Sequence, residues 1–93
     1  VGKLDNEITR LKRYINCSVK LSIRGDLDEE QAPLFHKQLY QVVKCSDGKH
    51  LKFYLDEHTF VAVPLLCVTS WDGEQLTALD EENQLQYQFQ FVL

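Results

Sequence analysis

Hydrophobic positions in the first fifteen residues recur at intervals of three and four: Val1, Leu4, Ile8, Leu11 and Ile15. This is the a/d repeat of a coiled coil, with Val and Ile at a and Leu at d, a choice that favours a parallel two-stranded seam. In that frame Glu7 at g faces Lys12 at e of a second chain, an opposite-charge pair across the seam. Arg10, Lys12 and Arg13 gather near the C-terminal turn, where the helix dipole favours cations. The pattern predicts a helix over 2–15 with a dimer interface of Val1, Leu4, Glu7, Ile8, Leu11, Lys12 and Ile15. The competing reading is an amphipathic helix lying on its own sheet. Over two heptads the periods of 3.5 and 3.6 diverge by only about 20° per heptad, so spacing alone does not separate the two. The residue types and the Glu7–Lys12 pairing favour the coiled coil.

From Cys17 the period changes to two. Cys17, Val19, Leu21 and Ile23 alternate with Ser18, Lys20, Ser22 and Arg24, the pattern of a half-buried strand ended by Gly25-Asp26. The acidic stretch Leu27–Gln31 reads as a loop, and about 29–38 as a helix or loop, with Pro33 suited to a first helical turn. Residues 39–45 read as a strand leading into the Ser46-Asp47-Gly48 turn. Leu51, Phe53 and Leu55 mark another strand. Phe60–Val68 is an apolar run of nine residues containing Pro64, which restricts it to an edge strand, a bulge or two short strands. Asp72-Gly73 marks a hairpin turn before a strand at 75–79. After a turn at 80–83, Leu85, Tyr87, Phe89, Phe91 and Leu93 alternate with Gln86, Gln88, Gln90 and Val92. A glutamine wet face lacks the lysines that guard a sheet edge, so this strand belongs inside the sheet or at an edge meant for a partner.

Composition narrows the function classes. Ninety-three residues make one domain, and 44% hydrophobic residues, with five Phe, four Tyr and one Trp, supply a compact core. The net charge of −4 argues against nucleic acid, which a basic excess would mark. Arg10, Lys12 and Arg13 with Lys20 and Arg24 are the cations that a nucleic-acid accessory module would use. The chain has no Met and starts inside a heptad, which suggests a fragment with more coiled coil upstream. No apolar run reaches the roughly 18 to 20 residues of a membrane span.

Catalytic and metal chemistry have few candidates. Cys17, Cys45 and Cys67 lack the spacing of a disulfide framework, and the nearest two are 22 positions apart, unlike the close ligand pairs of a zinc site. Reduced thiols in the cytoplasm or nucleus are the simplest reading. Cys45 with His50 or His58 is the arrangement that a cysteine-dependent enzyme or redox sensor would need, but no accompanying motif is present. Asn16-Cys17-Ser18 matches a glycosylation acceptor only formally. No catalytic residue, cofactor or metal ligand is assigned. Tyr54, Phe60, Pro64 and Trp71, aromatic or apolar residues near turns and edges, form the candidate partner surface. Strand addition is expected along the Pro64 segment or the glutamine-faced strand.

Together these features predict an α+β fold: a coiled-coil helix followed by a small antiparallel sheet of five or six strands, with one additional short helix near 29–38. Residues 1–16 end a dimeric stalk, and 17–93 form one sheet-rich head. The expected function is non-catalytic: homo- or heterodimerisation through the helix and binding of another protein through the head, within a larger coiled-coil protein. In architecture alone, a coiled coil ending in a sheet-rich head resembles terminal domains of kinetochore and chromosome-associated proteins and dimerisation regions of some transcription factors. That resemblance implies an adaptor of the cell cycle, in the nucleus or cytoplasm.

Overall fold

The computed structural model describes residues 2–25 and 35–92. Its strands are β1 (Gly2–Lys3), β2 (Ser18–Arg24), β3 (Phe35–Gln38), β4 (Gln41–Lys44), β5 (His50–Tyr54), β6 (Phe60–Pro64), β7 (Val68–Asp72), β8 (Gln75–Asp80) and β9 (Leu85–Val92). They form two antiparallel sheets, a six-stranded one in the order β1-β7-β8-β9-β2-β3 and a three-stranded one in the order β4-β5-β6. Each alternating segment turns its apolar set inward, as period two requires. Leu21, Leu76, Phe89 and Phe91 of the large sheet meet Val42, Leu51, Phe53 and Val63 of the small one in a single core. The Phe53 and Phe89 rings stack across that core with centroids 4.5 Å apart.

The architecture is mostly β, not the α+β arrangement expected, and no coiled-coil helix is present among the described residues. Within the 2–15 segment only Ile8–Leu11 is α-helical (α1). Leu4–Glu7 and Lys12–Tyr14 are 3₁₀ turns on either side, and Gly2–Lys3 is a strand paired with β7. The a/d side chains face this chain's own core. Leu4 and Leu11 are fully buried, and Ile8 and Ile15 pack against the same cluster. Glu7 accepts a hydrogen bond from Trp71, and Lys12 is exposed. Val1 lies outside the described residues. The physical reason is the ambiguity of a short stripe. Isolated helices of this length are marginal in water, whereas two curved sheets leave one end of their core to be covered. Backbone bonds fix the segment there, from Leu4 N–H to Cys67 O (3.0 Å) and from Asn16 N–H to Leu39 O (2.7 Å). Asn16, with φ of 75°, ends the helical stretch in the left-handed region that Asn tolerates.

The strand expectations fare better. β2, β5 and β8 lie where alternation places them, and β6 is an edge strand ending at Pro64. β9 is internal, between β8 and β2. Phe35–Gln38, within the stretch expected as helix or loop, is a strand. The rest of that expectation, including Pro33, lies outside the described residues.

Candidate functional site

Since Val42, Leu51, Phe53 and Val63 point into the core, the alternate residues of the small sheet point outward. Register aligns Val43, Lys52 and Ala62 in one row and Gln41, Tyr54 and Phe60 in the next, with His50 beside Pro64. This outer face is largely apolar. Val43 and Phe60 are 43% and 45% exposed. Tyr54 and Phe60 form a tilted ring pair with centroids 5.3 Å apart. The Lys52 ammonium lies 4.8 Å from the Phe60 ring centroid, a cation–π contact. Lys52 and His50 are basic, and none of the outward residues of these strands is acidic.

Three of the four residues singled out from sequence, Tyr54, Phe60 and Pro64, share this face. Trp71 does not. It stands on β7 beneath the helical segment and donates from Nε1 to Glu7 Oε2 at 2.8 Å. The Arg10 guanidinium lies 3.7 Å from its ring centroid and also donates to Gly73 O at 3.3 Å. Tyr14 stacks on Phe91 at 4.3 Å and on Trp71 at 6.0 Å, and its hydroxyl donates to Glu74. Burial, followed by that bond to Glu74, raises the Tyr14 hydroxyl above its ordinary pKa. This cluster clamps the helical segment to the β7–β8 hairpin, so Trp71 serves the fold. Val43, Lys52 and Ala62 were missed from sequence. For Val43 and Ala62 the signal was an apolar residue at a nominally wet position of β4 or β6; Lys52 is an ordinary wet-face lysine in the sequence and carries no such signal.

The cysteines are free thiols. Cys67 is buried, and burial pushes its thiol up to about 11, with the Asp80 charge adding to the effect. That shift is opposite to the activation that a nucleophilic thiolate requires. Cys45, Asp47 and His50 do come together at the β4–β5 turn, but in the wrong order for catalysis. Asp47 takes bonds from the Lys49 N–H (2.8 Å), from His50 Nδ1 (3.0 Å) and from Cys45, so the carboxylate, not the imidazole, adjoins the thiol. The Lys49 N–H leads in holding the Asp47 carboxyl down at about 2, followed by His50. Among the described residues no group of three His, Cys, Asp or Glu side chains is placed to hold a metal ion. The basic residues do not converge either, since Arg10 lies on Trp71 while Lys20 belongs to the outer face of the large sheet.

A cleft of about 790 Å³ lies among the turns at the end of the molecule that carries Lys3. It is bipolar, with Lys3, Lys44 and Lys49 facing Asp5, Asp80 and Glu81. Part of this charge is internally matched, as in the 3.0 Å Lys44–Asp5 pair. Exposed pairs of this kind select for no ligand charge. No helix among the described residues is long and apolar enough to cross a membrane. No protein family, curated protein or solved structure matches the chain.

Proposed function

We propose that this chain is a non-catalytic protein-interaction domain that docks a partner on the outer face of its three-stranded sheet. The observation that carries the reading is the clustering of Val43, Tyr54, Phe60 and Ala62, with Lys52 over the Phe60 ring, on one solvent-facing surface. Single exposed apolar residues are ordinary on any protein, but contiguous ones mark interaction sites. Aromatic anchors and a cation that stacks on them are the side chains in which interface energy concentrates. The seam residues of the helical segment have a structural role in this reading, so the proposal does not use them for dimerisation. The kinetochore and transcription-factor analogies depended on the coiled coil and carry no weight without it.

The test compares proteins retained from cell extract by the wild-type chain, by Phe60→Asp and by Gln88→Asp, which alters the outer face of the large sheet. A set retained by wild type and Gln88→Asp and lost only with Phe60→Asp supports the face. Identical sets for all three folded chains overturn it.

A further inference from the structure

Resting on that reading, we propose that the partner binds as an added strand along the β6 edge, as an extended peptide presenting an apolar and an acidic side chain at successive outward positions. The argument begins with backbone direction. Leu55 N–H bonds to Thr59 O (2.8 Å) and Leu65 N–H to Lys49 O (2.9 Å), just beyond the two ends of β6. Strand alternation then turns the N–H and C=O of Val61 and Val63 toward β5 and those of Phe60 and Ala62 away from it. No described strand pairs with that side of β6. Pro64 closes the register, having no N–H and giving its carbonyl to Cys67 N–H at 3.1 Å.

The other sheet edges are guarded in ways that β6 is not. On β4 the Val42 N–H is taken by Gln41 Oε1 at 3.0 Å, and Lys44 is exposed and paired with Asp5. β3 presents His36, Lys37 and Gln38 to solvent, and β1 has two residues. Charge, brevity and local capping are the devices that suppress strand addition. β6 reads Phe-Val-Ala-Val-Pro and carries no charge.

Charge identifies the occupant. Lys52 reaches over the Phe60 ring and pairs with no carboxylate of the described residues, although the chain has a net charge of −4. His50 on the same face is already matched by Asp47 at 3.0 Å, so Lys52 is the cation left for a partner. A carboxylate two positions from an apolar residue meets this pattern, with the apolar side chain over Phe60 and Ala62. A second copy of this chain does not: its β6 brings no carboxylate and sets a second Lys52 on the same surface. Strand addition uses main-chain bonds for affinity and alternate side chains for specificity.

The experiment uses the whole chain and a short capped peptide repeating leucine-threonine-glutamate-threonine, with a counterpart carrying lysine for glutamate. Amide hydrogen exchange and binding are read by NMR for wild type and for Ala62→Pro, which deletes one outward N–H from an edge where proline is tolerated. The expected result is slowed exchange at Phe60 and Ala62 when the acidic peptide binds. Binding should weaken about tenfold both in Ala62→Pro and for the lysine peptide, the scale of one main-chain bond or one reversed cross-strand pair. Binding that perturbs the Tyr54 and Phe60 rings but leaves exchange at Phe60 and Ala62 unchanged overturns strand addition and leaves the docking face standing. Protection of those amides that grows with protein concentration alone assigns the edge to a second copy and overturns the peptide. Absence of binding by either peptide overturns the inference, while the docking face is decided separately by the extract comparison. Exchange in the wild-type chain decides the matter even where Ala62→Pro does not fold.

Discussion

The two sheets share one core yet present opposite outer faces. The large sheet shows Ser18, Lys20 and Ser22 beside Gln86, Gln88 and Gln90, and these beside Gln75 and Thr77. Its exposed apolar residues, Leu79 and Val92, sit on different rows and do not touch a common patch. The small sheet gathers Val43, Tyr54, Phe60 and Ala62 on adjacent rows. The inner faces obey the same alternation, so core formation does not explain the difference. A sheet whose outer face is chiefly polar, with its exposed apolar residues scattered, is complete in water. A sheet with aromatics outside and an uncapped edge leaves apolar area and main-chain groups that the proposed partner would cover.

The comparison breaks first if the shared core is not shared. Phe53 and Phe89 come from different sheets and stack at 4.5 Å. Phe53→Ala is expected to cost about 3–5 kcal/mol in urea unfolding, the range for deleting a buried aromatic ring. The pair should show about 0.5–1.5 kcal/mol of coupling in a double-mutant cycle with Phe89→Ala. Additive losses would mean that the sheets are stabilised separately.

Next is the helical segment, which serves both sheets as an end cover. Leu11→Ala should cost about 2–5 kcal/mol, because Leu11 is fully buried in the common core. Its midpoint should not depend on protein concentration, since Leu11 is already fully buried within its own chain. A concentration-dependent midpoint, or a dimer by light scattering lost when Ile8 and Leu11 become polar, would restore the intermolecular seam.

That misreading shows what was legible in the chain and why. Strands β2, β5, β8 and β9 could be read because alternation is a local property of one segment. The spacing of Leu4, Ile8 and Leu11 was read correctly as an apolar stripe, but a stripe does not reveal whether its cover belongs to the same chain. The division into two sheets was hidden for a similar reason: pairings such as β2 with β9 join residues more than sixty positions apart. Tyr54 and Phe60 were singled out as aromatics near turns, yet Val43, Lys52 and Ala62 acquire meaning only once Leu51 and Phe53 are known to face inward. The surroundings of Trp71 were not legible because its partners, Glu7 and Arg10, lie far away in sequence.

Alkaline pH tests the buried side of the comparison. Burial raises Cys67 from 9.0 to about 11, and raises Tyr87 and Tyr14 as well. A group whose folded pKa is raised contributes stability that is fully present below the unfolded pKa and is lost as pH rises through the folded one. Stability should therefore fall between about pH 9 and 11, with Cys67 accounting for on the order of 2 kcal/mol. Cys67→Ala should flatten that part of the profile. An unchanged slope would show that the thiol is not held neutral by the core.

The clamp at Trp71 is a smaller effect. Trp71→Phe keeps the ring over Phe91 but removes the Nε1 bond to Glu7, with an expected loss of about 1 kcal/mol. Arg10→Ala removes the guanidinium from the indole face and should cost about 0.5–1 kcal/mol.

The smallest stability effect is the one that separates the two outer faces. Phe60 is 45% exposed on an edge strand, and Gln88 is at the centre of the large sheet's polar face. Phe60→Ser and Gln88→Ser should both change unfolding free energy by no more than about 0.5 kcal/mol, as surface substitutions do. If the Phe60 ring exists for a partner, only Phe60→Ser should weaken partner capture while its unfolding curve overlays the wild type. If the ring instead stabilises the small sheet through its contacts with Tyr54 and Lys52, Phe60→Ser will lower stability and leave capture intact at temperatures where the chain stays folded. The same two measurements on Gln88→Ser should show neither change. A loss of capture there as well would mean that the partner wraps both sheets, and the contrast between their faces would no longer locate the site.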